Sequence, residues 1–301
     1  MNTDIEVIAI DWRQSALLTA AEQVFHDMEA RFSRFRPDSE LTQFNTAAGS
    51  EVTVSPQLLQ LLDLATYYNR ETGRIFEPAI LPQLEAAGYD RSFEYVPRCG
   101  DATPRQAPPG HTSIADLRID YKRRTIVAPL ETRVDLGGIG KGCAVDAAAA
   151  TLAPARDFLV NAGGDIFAAG NGPDGIGWPV AVSDPEDDDR DLDLVILYDQ
   201  AIATSTTARR RWQRGHIWQS HIIDPRTGRS TRNNVVSVSV IAATATEADV
   251  FAKTALILGV EDGSRFLEKH HTRGLFVLSD GAIHRTVRWP GRVSVAGSTR
   301  E

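Results

Sequence analysis

The sequence predicts an α+β fold, with mixed, largely antiparallel sheets and flanking helices. Three observations carry this reading. Strand-like and helix-like segments follow one another without the regular strand–helix–strand beat of a doubly wound sheet. The run Val235-Val236-Ser237-Val238-Ser239-Val240 alternates as a strand with one buried face does, which favours antiparallel pairing. A chain of 301 residues with 42% hydrophobic side chains can bury a large core, as one domain or as two lobes (about 1–110 and 111–301) that share a cleft.

In chain order, residues 3–10 alternate weakly and predict a strand. From Ser15, the apolar residues Leu18, Ala21, Phe25, Met28 and Phe32 recur at helical spacing, so an amphipathic helix runs to about Phe32. Ser55 and Pro56, then Leu58, Leu59, Leu62 and Tyr67, with Gly73 beyond, give a second helix its start, apolar face and stop. Residues 90–112, with four prolines and two glycines, read as a long surface excursion. Short apolar runs then predict strands over 125–128, 158–161, 178–182, 194–198, 235–241 and 275–278. An alanine-rich helix is expected over 143–152, and another over 249–258, stopped by Gly259.

Composition narrows the function classes. The net charge of −8 lacks the basic footprint that phosphate-backbone binding needs, so no nucleic-acid partner is expected. The apolar stretches 143–153 and 250–260 fall far short of the roughly 20 residues that span a bilayer, so no membrane insertion is expected. Cys99 and Cys143 are too few for a disulfide framework, and residues 1–12 lack the basic and apolar segments of an export signal. A cytoplasmic location is the resulting expectation.

Five segments carry candidate chemistry. Asp135-Leu136-Gly137-Gly138-Ile139-Gly140-Lys141-Gly142 enters the alanine-rich helix, and glycines with a lysine at a helix start suit a phosphate; a tight turn with a solvated lysine is an equal alternative. The spacing is neither a dinucleotide fingerprint nor a P-loop. Asn161-Ala162-Gly163-Gly164-Asp165 repeats the invitation, or is plain turn chemistry. Thr204-Ser205-Thr206-Thr207 offers hydroxyls, and Arg209, Arg210 and Arg211 after it read as a solvated charged face. His221, before Ile222-Ile223-Asp224-Pro225, is a general-base candidate or a satisfied structural histidine; with His216 alone nearby, no zinc pattern forms. Asp249 is spaced from Thr246 as in a helix N-cap arrangement, or stands as a carboxylate for Mg²⁺ beside a pyrophosphate.

Taken together and in order, these segments resemble the ApbE family, the FAD:protein FMN transferases. The resemblance also uses Arg31-Phe32-Ser33-Arg34-Phe35 with Ser39-Glu40-Leu41 and Asn45, Phe76-Glu77-Pro78-Ala79 with Pro82, and Ala248-Asp249 through Gly259. It implies an α+β fold with FAD in a cleft between two lobes, and post-translational flavinylation of a Ser or Thr hydroxyl on an acceptor flavoprotein, with AMP released. An FAD pyrophosphatase and a non-catalytic FAD-binding protein are the rival activities. By resemblance, Asn45 contacts the adenine end of FAD, Asp135 and Lys141 hold FAD, and Asn161, Gly163, Gly164 and Asp165 line the cleft. Ala79, Thr204 and Ser205 are further FAD contacts, and His221 stands near the attacking hydroxyl. Asp249 binds Mg²⁺ together with the carbonyl of Gly138 (Gly140 is the other possibility). Two departures stand out. Thr206 occupies the family's usual glycine position, and Lys253 occupies that of a metal-binding hydroxyl, so that either the neighbouring Thr254 serves the ion or the Lys253 ammonium partly replaces its charge.

Overall fold

The structure, a computed structural model, describes residues 3–10, 15–100, 112–187 and 189–290. Its centre is a sheet of seven strands: β1 (Ile5–Ala9), β2 (Phe158–Ala162), β3 (Asp165–Ala169), β4 (Gln200–Thr206), β5 (Val235–Ala242), β6 (Arg273–Leu278) and β7 (Ile283–Arg285). They lie side by side in the order in which they occur in the chain, and every pairing is antiparallel. The helices are α1 (Ser15–Phe32), α2 (Glu40–Thr46), α3 (Pro56–Glu71), α4 (Leu81–Ala86), α5 (Gly140–Leu152), α6 (Ala245–Leu258) and α7 (Val260–Lys269). The α+β expectation with largely antiparallel sheets therefore holds.

Alternation along the strands decides what covers each face. On one face Val160, Ala201 and Ala203 pack with Ala144, Ala148, Ala245 and Ala248 and with Phe25 of α1. The small side chains let α5 and α6 lie close to the sheet. On the other face Leu159, Ile166, Ile202 and Ile241 meet an antiparallel hairpin, Trp178–Ser183 with Asp191–Leu197. A further cluster joins α3 to α6 through Leu58, Leu62, Tyr68 and Phe251.

The first predicted helix coincides with α1, and Ser55 caps α3 by accepting from the Leu58 N–H at 3.1 Å. Two helix starts differ from expectation, and both matter for the cleft. α5 begins at Gly140, which brings Lys141 into the first turn. α6 begins at Ala245 because Thr244 is its cap, its side chain accepting from the Glu247 N–H at 3.1 Å. Asp249 is thus one turn inside the helix, and the capping reading of Asp249 with Thr246 is overturned. The acidic run 184–193 is also more than a solvated face. Asp184 is buried and ion-paired with Arg190, and Asp193 is buried with Arg285 at 2.9 Å and the Trp289 N–H at 3.1 Å. Of the predicted surface excursion, residues 101–111 lie outside the described residues, as does Asp188 of the acidic run.

The heads of α5 and α6 are locked together. A methyl group at Gly142 would come within 2.6 Å of the Thr246 Cα, so only glycine permits this approach. Asp146 of α5 accepts from the N–H groups of Ala245 and Thr246 at 2.7 and 2.9 Å and from the Thr246 hydroxyl at 2.5 Å. These are orphan donors at the start of α6, satisfied from the neighbouring helix rather than from within it. Asp146→Ala is expected to destabilise the protein by about 1–3 kcal/mol by stranding them. The check is thermal unfolding: an unchanged Tm would deny Asp146 this role.

Candidate active site

A cleft of about 860 Å³ opens at the heads of α5 and α6 and the end of β4. Its lining includes the turn from Asp135 to Lys141, Thr204 to Thr206, His221 to Ile223, and Asp249 with Lys253, together with Arg34, Phe35, Tyr89 and Phe93. The size lies in the usual range for small-molecule pockets.

Among the expected site residues, Asp135, Gly138, Gly140, Lys141, Gly163, Thr204, Ser205, His221 and Asp249 line this cleft. Asp165 stands behind Lys141 and forms an ion pair with its Nζ; the lysine side chain is 25% exposed and the aspartate 1%. Burial works against the Lys141 ammonium, but the Asp165 and Asp249 carboxylates outweigh it and raise its pKa. Burial, with the Asp249 charge adding to it, pushes the Asp165 carboxyl up against the opposing pull of Lys141. For Asp249, burial is overcome by Lys253 and Lys141, which hold it below the usual carboxylate range.

His221 precedes the tight hairpin of Ile223–Asp224 with Arg229–Ser230. Its backbone N–H donates to the Arg210 carbonyl at 3.4 Å, while its Nδ1 is buried and has no hydrogen-bond partner among the described residues. Burial, reinforced by the positive charges of Arg210, Lys253 and Lys141, lowers its pKa to about 3. The imidazole is therefore neutral at pH 7, with a lone pair to offer.

Other expected contacts are spent inside the protein. Asn45 is buried and clamps Val134, donating to its carbonyl at 2.8 Å and accepting from its N–H at 2.7 Å, so it positions the turn that leads to Asp135 and does not face the cleft. Ala79 is buried, its N–H donated to Glu77 at 2.9 Å; Glu77 also accepts from Asn69, Ser113 and Ile114, which makes it an internal anchor. Asn161 holds the turn after β2 by accepting from the Gly164 N–H at 2.9 Å, and neither residue lines the cleft. Asp135 does line it, but its carboxylate is occupied by Arg34 and by the Gly137 N–H at 2.6 Å.

The Mg²⁺ set implied by the resemblance does not fit. Thr254 is fully buried and donates its hydroxyl to the Val250 carbonyl at 2.8 Å, away from Asp249. The Lys253 ammonium instead lies between the two remaining oxygens, 3.0 Å from the Gly138 carbonyl and 2.8 Å from Asp249 Oδ1. A charged lysine cannot ligate a metal, and its position excludes one there. Among the described residues, no three His, Cys, Asp or Glu side chains converge as a metal-holding group.

Two features escaped the sequence reading. Arg209 and Arg210, expected on a solvated face, line the cleft, because the chain after β4 folds back into the strand Arg211–Arg214. An aromatic part of the lining gathers around Arg34, whose guanidinium lies 4.1 Å from the Phe35 ring centre and 4.6 Å from that of Tyr89 and donates to the Tyr89 carbonyl at 2.9 Å. Tyr89 in turn packs on Trp212, 5.6 Å between ring centres. Arg34 falls inside a quoted motif, but no periodic signal ties it to Tyr89 or Trp212.

Comparison with known proteins shows the family. Over 268 residues the chain is 31% identical to the FAD:protein FMN transferase of Vibrio cholerae serotype O1, covering 87% of this chain and 79% of the relative. The crystal structure of the ApbE protein from Thermotoga maritima superposes with a TM-score of 0.83 at 25% identity, over 95% of this chain and 94% of the other. The flavin transferase ApbE from Vibrio cholerae gives a TM-score of 0.78 at 27% identity, with the same coverage. Residues 1–276 match the ApbE family, and the chain belongs to it.

Proposed function

We propose that this chain is an FAD:protein FMN transferase, which moves the FMN half of FAD onto a Ser or Thr hydroxyl of an acceptor flavoprotein and releases AMP. The observation that carries this reading is the meeting of a neutral imidazole, His221, with two ammonium groups, Lys141 and Lys253, in one cleft of a chain of this family. The acceptor oxygen attacks the FMN phosphorus and forms a new P–O bond. The bond from that phosphorus to the AMP oxygen breaks, and AMP departs with the electron pair. The hydroxyl proton passes to the neutral imidazole of His221.

The remaining work is positioning and charge neutralisation, as in other phosphoryl transfers. Lys141 sits in the first turn of α5, where the helix dipole favours an anion. Arg209 and Arg210 add positive charge to the same cleft. Burial, reinforced by Arg210, Lys253 and Lys141, keeps the imidazole deprotonated before substrate arrives; a bound diphosphate offsets the cationic part and raises the basicity of His221.

The direct test is incubation with FAD, with and without an acceptor, following AMP release and covalent flavin on the second protein. FAD binding without AMP would leave only a carrier, and AMP without protein-bound flavin would make water the acceptor. His221→Ala is expected to lower the single-turnover rate by about 10²–10⁴-fold while FAD still binds; an unchanged rate would remove His221 from the chemistry.

The pH profile gives a separate check. A histidine titrating at its ordinary 6.5 would cost about thirtyfold in kcat/KM on going from pH 8 to pH 5. Because the folded pKa is lowered to about 3, the base form survives at pH 5, and no acid limb centred near 6.5 is expected from His221 in kcat/KM. A limb at 6.5 that disappears in His221→Ala would contradict the burial argument.

A further inference from the structure

The head of α6 carries an inference about the cation of this reaction, one that rests on the proposed transfer. The Gly138 carbonyl and the Asp249 carboxylate are the kind of hard oxygen pair that Mg²⁺ takes. Here they converge on Lys253 Nζ, the carbonyl from a turn 115 positions away in the chain and the carboxylate from the same helix. The ion pair is enclosed, with the lysine side chain 17% exposed and the aspartate 4%. The lysine stem runs beside Gly138, its Cδ and Cε 3.5 and 3.6 Å from where a side chain at that position would begin. Asp249 Oδ2 is buried and has no partner among the described residues. Withdrawing Lys253 would therefore strip this buried carboxylate of its direct ion-pair partner and leave the more distant Lys141 to offset its charge, a costly state. Two of the three ammonium N–H groups are used on Gly138 and Asp249, and the third is left for an anionic oxygen in the cleft.

We propose that Lys253 is the resident cation of the cleft: its ammonium takes the place of a divalent metal ion, neutralising charge on the diphosphate as the bond to AMP breaks, and the transfer proceeds without metal. One unit of charge stands where an ion would bring two. Lys141, at the head of the neighbouring helix, and the guanidinium groups of Arg209 and Arg210 enlarge the positive field.

Two measurements on the full chain test this, and only one of them needs turnover. Mn²⁺ titration, read by the electron paramagnetic resonance of the free ion with and without AMP, reports the site directly. Wild type is expected to bind no Mn²⁺ below millimolar concentration. Lys253→Ser, which clears the two oxygens, is expected to gain a site that Asp249→Asn then removes. AMP release from FAD is expected to be the same within about twofold in EDTA and in Mg²⁺ for wild type. Lys253→Ser should fall roughly hundredfold in EDTA, the scale of losing one charge-stabilising group, and recover much of this in Mg²⁺. Lys253→Met, which keeps the stem and loses the charge, should be slow in both buffers. A wild-type Mn²⁺ site that depends on Asp249, turnover abolished by EDTA, or a fast Lys253→Met each overturns the proposal. No AMP release by wild type in either buffer would instead defeat the transferase reading, and the Mn²⁺ titration would still decide which cation the site holds.

Discussion

The cleft depends on one half-buried carboxylate, that of Asp146, which ties the start of α6 to the middle of α5. It does for α6 what a cap residue does within a helix, but from a neighbouring helix, and so it fixes a tertiary distance as well as a local one. Gly142 lets the backbones meet at that point. With both helix heads facing the same space, Lys141 from one and Asp249 and Lys253 from the other must be neighbours. The Gly138 carbonyl, on the turn into α5, joins them. Gly138 with Lys141, and Asp249 with Lys253, are each neighbours along the chain, and the Asp146 link sets one pair beside the other.

Two positive helix ends and several cations crowded together would repel one another unless anions were built in. Asp165 and Asp249 supply those, and each keeps one oxygen, Asp165 Oδ1 and Asp249 Oδ2, with no partner among the described residues. The two lysines and the two carboxylates balance in charge, and two carboxylate oxygens are left without a hydrogen bond. The same field explains why a single histidine can serve beside so many cations. A protonated imidazole there would be both desolvated and repelled, so His221 stays neutral and available.

Much of this was legible in the residues themselves. The period of α1 and the Ser-Pro start of α3 have a local cause and appear where expected. β5 pairs antiparallel as its alternation suggested, but it has two buried faces rather than one, Ser237 and Ser239 being as enclosed as the valines because helices cover one side of the sheet and a hairpin the other. The glycine-lysine turn, His221 and Asp249 were legible as candidates, and the fold brings them to one cleft. What failed to show was any property decided by a distant partner. Asn45 is polar and sits in a quoted motif, yet Val134, 89 positions away, consumes both ends of its amide. Arg210 reads as surface because charge runs usually are, and only the return of the chain after β4 turns it inward. Asp193 is acidic in an acidic run, and it is Arg285 and Trp289 that make it a core residue.

The choice between Thr254 and Lys253 is of a different kind, because helix geometry alone settles it once Asp249 is known to lie inside α6. Residues four apart share a face, and the Asp249–Lys253 ion pair uses that spacing. A residue five apart is turned about 140° away, at about 100° per residue. To reach the Asp249 oxygens, Thr254 would have to come from the face that packs into the core, where its hydroxyl already closes on the Val250 carbonyl, as a helical threonine commonly does. The position of the cap is therefore the decisive local fact. With Thr246 as cap, Asp249 would belong to the fraying first turn and its spacing to Lys253 would carry little weight. With Thr244 as cap, Asp249 and Lys253 are separated by one full turn of regular helix, and the ammonium is delivered to the carboxylate by the backbone itself.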